Sequence, residues 1–382
     1  MENLLIAVIA GLLILLASVA SVELGVSVAL IEISFGVVAG NFLGLTSPPW
    51  MDFLASFGSI LLTFLAGAEV DPRVMRERLK ESVLIGSLSF AAPFFGAWLV
   101  CVWVLGWPTP AAQIAGVALS TTSLAVVYAV LVETGLTLTP LGKLIMASTF
   151  VTDFGTALAL ALLFVRPTWW LVPFLGASML VIWAMVALQP WFFSRYGERV
   201  IEPEIKGAVA ALLVLMFFAE KAQSHAVLPA FVLGLALAHI FHAYPELTRR
   251  FRVVAFALLT PFFFLKGGMN VSLKLVWANF GLLLLLFAVK QVTKIAGVYP
   301  LAKRWVPVNA MFTTLLMSTG LTFGTISSLY GLNAGILDQA QFSVLVTVVV
   351  ASAVIPTIIA QRWFHPEKAP RSARVRPAAA RE

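Results

Sequence analysis

Uncharged apolar stretches of about 20 residues recur along almost the whole chain, and no other feature of the sequence restricts its fold as strongly. A helix rises 1.5 Å per residue, so about 20 residues cross a hydrocarbon layer about 30 Å thick. Only 11% of the 382 residues are charged, against about 25% in soluble domains. The sequence therefore predicts a protein that is solvated by the lipid bilayer.

The apolar runs are continuous and rich in Leu, Ala, Val and Phe, whereas a membrane β-barrel needs short segments of alternating polarity. Helices satisfy their backbone hydrogen bonds within each segment, so the predicted fold class is all-α. Thirteen spans are predicted near residues 3–20, 26–44, 52–68, 81–105, 110–133, 140–164, 168–188, 205–223, 226–242, 251–271, 275–300, 307–330 and 339–361.

Basic residues are divided unevenly between the two sets of loops that these spans define. One set of loops and the carboxyl-terminal tail hold 19 of the 25 Lys and Arg residues, the other loops hold four, and Lys290 and Lys294 fall inside a span. Cytoplasmic loops collect Lys and Arg, so we expect the amino terminus outside and the carboxyl terminus in the cytoplasm, in the inner (plasma) membrane. The same bias explains the net charge of +7, and no nucleic-acid partner is expected.

The two halves of the chain share motifs at an offset of about 200 residues. Residues Phe64–Ala68 recur as Phe264–Gly268, and Gly36–Gly40 has a counterpart in Gly234–Ala238. Six-helix units on either side of one connecting helix insert with opposite orientations, which is the inverted-repeat plan of secondary transporters. That plan predicts a site midway across the membrane, beside interrupted helices.

Two hydroxyl-rich segments are candidates for these interruptions, one in the fifth span and one in the twelfth. Ser and Thr also occur in ordinary helix packing in lipid, but the symmetric placement of the two segments favours a pair of broken, crossing helices. The residues assigned to the break or to the oxygen ligands beside it are Thr121, Thr122, Ser123, Ser318, Thr319 and Gly320.

Few charged residues lie deep inside the predicted spans, where each costs about 2.5–3.5 kcal/mol and marks a functional candidate. Asp153 is the only acidic residue between Pro140 and Arg166, and Lys290 and Lys294 lie one turn apart on one helix face. Other charges lie near span ends, where snorkelling or exposure accounts for most of them, namely Glu32, Glu69, Asp71, Glu133, Glu220 and Lys266.

A single buried carboxylate can hold a proton or a metal cation but has little reason to hold both. Competition for that one anionic group is sufficient for exchange if the loaded site alternates between the two faces of the membrane. Asp153 is the predicted anionic ligand of the metal cation. Oxygen atoms of Thr152, Thr122 and Ser123 would complete the cage around that cation. No cofactor is expected besides the transported ions.

Several segments resemble the NapA-type branch of the monovalent cation/proton antiporters, which also includes the Kef-type potassium systems. The most specific is Val151-Thr152-Asp153-Phe154, which resembles the family's paired polar-acid motif, and Lys294-Ile295-Ala296-Gly297 is similar to its core lysine segment. Further similar segments are Ile31–Gly40, Gly67–Asp71, Thr121–Ser123 and Gly331–Pro356.

The resemblance implies exchange of Na⁺ or K⁺ for protons and a homodimer whose core helices move against a dimerisation domain. On this basis the transmembrane antiporter domain is residues 1–365. The residues after it, 366–382, are rich in Arg, Ala and Pro, which predicts a short disordered cytoplasmic tail. Core helices are expected at 81–164 and 275–361, dimerisation helices at 1–70 and 205–271, and the linker helix at 168–188.

Two departures from the family pattern affect the expected coupling. Strongly electrogenic relatives carry two acids where this chain has Thr152-Asp153, and the Arg-Glu often seen near the second break is replaced by Thr319-Gly320-Leu321-Thr322. We therefore expect Lys294 to pair with Asp153 when the cation is absent, with Lys290 as a second coupling candidate. Exchange is then electroneutral if Lys294 stays charged, or moves two protons per cation if it also deprotonates.

Three other functions remain open from the residues alone. A sodium-coupled symporter of an organic anion would share the architecture and would need a basic group such as Lys266 or Lys290. An intramembrane aspartyl enzyme needs two facing carboxylates, whereas only Asp153 is available, so no enzymatic role is expected. A passive channel would be excluded by saturable exchange coupled to protons.

Overall fold

In the computed structural model, the described residues are 2–24, 27–70, 78–137, 139–164, 168–196, 202–222 and 224–366. Helices account for most of them, and these ranges contain no β-strand, which confirms the predicted all-α class. Nine helical segments in the described ranges are long and apolar enough to cross a membrane, and two of them, Thr109–Leu131 and Pro245–Met269, are interrupted. Val28–Phe42 and Val227–Ala243 are shorter apolar helices. The count of thirteen spans stays a prediction, and residues 367–382 of the predicted tail lie outside the described residues.

The first half begins with α1 (Glu2–Leu24), α2 (Val28–Phe42), α3 (Pro49–Ala68) and α4 (Leu79–Trp103). It continues with the short helices α5 (Thr109–Ser120) and α6 (Leu124–Glu133), then α7 (Pro140–Leu163) and α8 (Leu171–Tyr196). Proline is the first residue of α3 and of α7, where its fixed φ suits a helix start and its missing N–H group is not needed.

The second half contains α9 (Pro203–Lys221), α10 (Val227–Ala243), α11 (Pro245–Val254) and α12 (Thr260–Met269), with a π-helical turn, Ala255–Leu259, between the last two. After α13 (Leu273–Ala278) follow α14 (Phe280–Trp305), α15 (Ala310–Met317), α16 (Thr322–Asn333) and α17 (Gln339–Trp363). Asp338 caps α17 by accepting a hydrogen bond from Gln341 N at 2.8 Å.

The span predicted at 275–300 differs in its bounds and its continuity from the helices observed. Here α13 ends at Ala278 and the long helix α14 extends from Phe280 to Trp305. Asn279 separates the two, because its side-chain amide donates to Leu275 O at 2.8 Å and closes the end of α13. This local hydrogen bond competes with a continuous helix, and the hydropathy of the segment does not reveal it.

Two pairs of helices approach so closely that only glycine fits between them. A Cβ atom on Gly36 of α2 would overlap Leu265 O of α12, and one on Gly234 of α10 would overlap Phe64 O of α3. Small residues permit this kind of approach in lipid, where close van der Waals contact drives helix association. The four helices α2, α3, α10 and α12 therefore form a tightly packed unit.

A second group of helices packs around α4. This helix contacts α5, α7 and α14, while α14 contacts α15 and α17, and α16 packs against α5. The segments between α5 and α6 and between α15 and α16 are non-helical at residues 121–123 and 318–321. Both interruptions lie inside this group, so they bring free backbone groups into a buried region.

Candidate functional site

The two interrupted helices meet at their breaks and are joined by hydrogen bonds. Thr122 Oγ1 donates to Met317 O at 2.9 Å, and Ser123 N donates to Thr319 O at 3.1 Å. The backbone at Thr121 is extended, with φ −64° and ψ 152°. Because both helices stop here, two helix carboxyl ends and two helix amino ends come together in the middle of the helical bundle.

Asp153 of α7 lies beside this crossing and is only 2% exposed. Its Oδ1 atom is buried and has no hydrogen-bond partner among the described residues. A buried carboxylate oxygen without a donor is costly, because nothing replaces the water that solvates it when exposed. A bound proton or cation at this atom would supply the missing interaction, so the geometry fits the role expected of Asp153.

A cavity of about 230 Å³ opens onto Asp153. Thr122 lines it, together with Leu124 at the first position of α6 and Thr322 at the first position of α16. Helix amino ends carry about half a positive charge each, so both breaks direct positive potential towards the space in front of the carboxylate. This positive potential stabilises the ionised carboxylate and weakens its attraction for a cation.

Lys294 of α14 is fully buried and is held by two hydroxyl groups beside the crossing. Its Nζ donates to Ser89 Oγ at 2.8 Å and to Thr122 Oγ1 at 3.0 Å. Lys294 is close enough to interact electrostatically with Asp153, but within the described residues no ion pair at 4.0 Å or less joins the two side chains. The expected pairing is therefore not formed in this state, and Thr122 stands as a shared contact between the lysine and the cavity.

The other proposed oxygen ligands are engaged locally. Thr152 Oγ1 donates to Ser148 O at 3.1 Å and to Gly86 O at 3.3 Å, and Ser123 Oγ accepts from Val126 N at 3.4 Å. Thr121, Ser318 and Thr319 donate their hydroxyls to carbonyls of the preceding helical turn. Of the predicted oxygen ligands, Thr122 is the one that lines the Asp153 cavity.

Lys290 is also fully buried, but it is not one of the residues that line the Asp153 cavity. Its ammonium lies at the backbone of the crossing, with Nζ 3.5 Å from Thr121 O. The two lysines, one helical turn apart, thus contact different parts of the crossing. Lys294 contacts hydroxyl groups, whereas Lys290 contacts main-chain carbonyl oxygen.

Three residues of the site were not identified as such from the sequence. Ser89 holds Lys294, and an ion pair between Glu69 and Arg252, with Oε1 and Nη2 2.7 Å apart, lines the mouth of the Asp153 cavity. A serine in an apolar helix carries no signal that separates this role from packing. From the sequence, Glu69 was interpreted as an exposed residue at the end of a span. Its partner Arg252 is 183 positions away in the chain, so the pair is visible only in the structure.

A second cavity, of about 590 Å³, lies at the opposite end of α3. Asp52, in the first turn of α3, lines it with Glu220 and His225, whereas Glu69 follows the last turn. At 1.5 Å per residue, Asp52 and Glu69 lie about 25 Å apart along α3. Lys266 forms an ion pair with Asp52 at 2.6 Å, so the buried lysine that was a candidate anion ligand already has a carboxylate partner.

Aromatic side chains of α7, α10 and α16 contact one another beside the Asp153 cavity. Phe231 of α10 stands 6.0 Å from Phe154 of α7 and 6.5 Å from Phe323 of α16, measured between ring centroids. Phe323 also lines the Asp153 cavity. Asp153 lines this first cavity and is not among the residues that line the second one.

Known proteins with similar sequences and folds are cation/proton antiporters. Residues 5–365 match the family model described as "Sodium/hydrogen exchanger, transmembrane". The chain is 24% identical over 334 residues to the probable Na⁺/H⁺ antiporter 3 of Methanocaldococcus jannaschii, which covers 82% of this chain and 84% of that protein. It is 24% identical over 356 residues to the Na⁺/H⁺-K⁺ antiporter GerN of Bacillus cereus, with 89% and 90% covered.

The fold is similar to that of the sodium proton antiporter MjNhaP1 from M. jannaschii at pH 8, with a TM-score of 0.70. The sequences are 14% identical, and the match covers 94% of this chain and 97% of that structure. The resemblance identified from the motifs is thereby confirmed at the level of the family and of the fold.

Proposed function

Because this chain belongs to the sodium/hydrogen exchanger family, we propose that it exchanges Na⁺ or K⁺ for protons by competition of the two ions for Asp153. The family consists of cation/proton antiporters, which are transporters and not enzymes. The observation that carries the proposal is the buried Asp153 Oδ1, which lacks a hydrogen-bond partner among the described residues and belongs to a residue lining an open cavity. A proton on that oxygen must leave before a cation takes its place.

Thr122 is the first oxygen ligand proposed for the cation besides Asp153. Its hydroxyl hydrogen is committed to Met317 O, and one oxygen lone pair accepts from Lys294. A hydroxyl oxygen has two lone pairs, and the second faces Ser89 Oγ at 3.5 Å, a long contact that a cation in the cavity would replace. The additional ligands proposed from the sequence, Thr152 and Ser123, would have to turn from their present partners, and water in the cavity supplies the remaining positions.

Lys294 is the proposed coupling residue. When the cation leaves, the ammonium can move from Ser89 and Thr122 towards Asp153, with which it already interacts electrostatically. If Lys294 stays charged throughout, one proton replaces one cation and no net charge crosses the membrane. Moving a net charge changes the energetics by about 2.3 kcal/mol per 100 mV, so a response to an imposed potential would rule out the electroneutral version.

Alternating access is proposed to carry Asp153 between the two cavities. The core helices, 81–164 and 275–361, would move against the dimerisation helices, 1–70 and 205–271, with 168–188 as the linker. Support comes from the position of the aromatic contacts, because Phe231 belongs to the second group and its partners Phe154 and Phe323 belong to the first. Breaking these contacts would open the site to the second cavity.

An inverted repeat is supported by matching helix contacts in the two halves. The repeat relates α2 to α10 and α3 to α12, since Gly36 aligns with Gly234 and Phe64 with Phe264. The close contact between α2 and α12 then corresponds to that between α10 and α3, and both depend on a glycine against a carbonyl. Such a repeat has two pseudo-equivalent states, which is the basis of alternating access.

The remaining parts of the proposal are topological. The chain is a multi-pass membrane protein. We propose that its amino terminus lies outside and its carboxyl terminus in the cytoplasm, which the uneven distribution of basic residues supports. The Asp153 cavity would then open to the cytoplasm, since Glu69 precedes the basic loop after α3. We also propose a homodimer in the plasma membrane, as the family resemblance implies. An organic-anion symporter has less support, because Lys266 is paired with Asp52.

Transport in proteoliposomes tests the function. We expect Na⁺ or K⁺, added separately outside vesicles with an acidic interior, to drive proton efflux that saturates with cation concentration. Asp153→Asn keeps the size of the side chain and removes the charge, so it should abolish the flux for both cations. Full exchange by Asp153→Asn would disprove the role of this carboxylate, and cation flux without proton movement would disprove antiport.

A further inference from the structure

Lys290 occupies space that exists only because residue 320 has no side chain. Its ammonium is fully buried at the crossing, 3.5 Å from Thr121 O. A Cβ atom added to Gly320 would overlap Lys290 Nζ, and would lie 2.9 Å from Thr121 Oγ1 and 3.3 Å from Ser352 Oγ. The glycine in the second break and the lysine of α14 therefore fit each other directly.

The charge on Lys290 is not balanced by any carboxylate of the described residues. Within the described residues the structure gives it no acidic partner at 4.0 Å or less. The helices α5 and α15 both end at the crossing, at Ser120 and Met317. A helix carboxyl end carries about half a negative charge, so the two ends together balance about one ammonium group.

The two lysines of α14 thus differ in what they contact. Lys294 donates to the hydroxyls of Ser89 and Thr122, and Thr122 lines the Asp153 cavity. Lys290 contacts the backbone of the first break and the glycine of the second. We propose that Lys290 is a positioning residue that clamps the two broken helices together, and that it takes no part in the exchange of protons.

This assignment rests on the proposed function, because the geometry that Lys290 maintains is that of Thr122 in front of Asp153. Thr122 is the residue next to the carbonyl that Lys290 contacts. If the ammonium is removed, two helix carboxyl ends face each other without a counter-charge, and the two breaks separate or shift. The rate of exchange falls, whereas the number of protons moved per cation stays the same because Asp153 and Lys294 are intact.

A double-mutant cycle in proteoliposomes tests the clamp, with Lys290→Met, Gly320→Ala and the two combined. We expect each single variant to lower the maximal rate about tenfold or more, and the combination to be no worse than Lys290→Met alone, because the residues act through one contact. Proton stoichiometry and the response to an imposed potential should match wild type in all three. Gly281→Ala is the matched control. Gly281 lies on α14, the helix of Lys290, and no atom is near the position of an added Cβ, so this variant should transport normally.

Three results would overturn the proposal. A changed proton stoichiometry or voltage response in Lys290→Met would make Lys290 a coupling residue, and fully additive losses would show that it does not act through Gly320. If Lys290→Met does not fold, Gly320→Ala alone decides, since it retains the lysine; a normal rate in this variant contradicts the clamp. Asp153→Asn is measured in parallel. Exchange by that variant would disprove the proposed function, whereas the clamp is tested separately by the double-mutant cycle of Lys290 and Gly320.

Discussion

The Thr122 hydroxyl lies 3.0 Å from the Lys294 ammonium, and this contact joins the first helix break to the lysine that we propose pairs with Asp153. Thr122→Val removes the hydroxyl, which deprives Lys294 of an acceptor and leaves Met317 O without its donor. Unsatisfied buried groups cost about 1–3 kcal/mol each, so we expect exchange to fall about tenfold or more. The measurement is the initial rate of cation-driven proton flux.

Thr152→Val is the comparison for this variant. The Thr152 hydroxyl donates only to carbonyls, those of Ser148 and Gly86, and Thr152 does not line the Asp153 cavity. Its loss should therefore lower the rate less than the loss of the Thr122 hydroxyl. A larger effect for Thr152→Val would make Thr152 the principal oxygen ligand and would contradict the assignment to Thr122.

Glu69 at the mouth of the cavity should concentrate cations near Asp153. Glu69→Gln leaves Arg252 as an unbalanced positive charge there, so we expect the apparent KM for the cation to rise several-fold, about the size of electrostatic steering effects. The difference should shrink in high salt, because screening weakens interactions with partly exposed charges. The matched variant Glu246→Gln breaks an exposed pair with Arg249 and should leave KM unchanged. A salt-independent change would argue against an electrostatic cause.

Gly67 should not tolerate substitution, because at this position α3 touches the backbone of α10. A Cβ atom at this position would overlap Phe231 O, so Gly67→Ala must push α3 and α10 apart. Overpacking costs about 1–3 kcal/mol, which should appear as a lower melting temperature in detergent. Gly176→Ala adds the same methyl group where no atom is near and serves as the control. Equal stability of the two variants would contradict the close approach of α3 and α10.

Much of the fold follows from composition, because lipid solvation forces continuous apolar helices and places charged residues at their ends. The helix interruptions at 121–123 and 318–321 coincide with segments that the sequence singled out by hydroxyl content and symmetric spacing. The division of the 275–300 segment into α13 and α14 at Asn279 did not follow from hydropathy, because it depends on one hydrogen bond from the Asn279 side chain to Leu275 O.

The candidate site could be predicted only in part. Asp153 was identifiable because an ionisable side chain is costly in mid-membrane, so a lone acid in a long apolar run marks a functional position. Spacing places Lys290 and Lys294 on one face but does not separate their roles, since these depend on Gly320 and Ser89 in distant segments. Glu69 was missed for the same reason, as its partner Arg252 comes near only after folding.

His225, between α9 and α10, should not act as a sensor of neutral pH. Burial lowers the pKa of its imidazole to about 4, and Nδ1 has no hydrogen-bond partner in the part of the chain that the structure describes. A histidine with a lowered pKa binds its proton only as the pH falls towards that value, so it is neutral above about pH 6. We expect His225→Gln to leave the pH profile of exchange above about pH 6 unchanged. A shifted profile in that range would show that the imidazole titrates there.

Release of a proton upon cation binding tests the competition at Asp153 most directly. Calorimetric titration of the detergent-solubilised protein with Na⁺ and with K⁺, in two buffers of different ionisation heat, gives the number of protons released per bound cation. For the transported cation we expect about one proton from wild type and neither binding nor release from Asp153→Asn. Cation binding without proton release in wild type, or equal release from Asp153→Asn, would contradict the account.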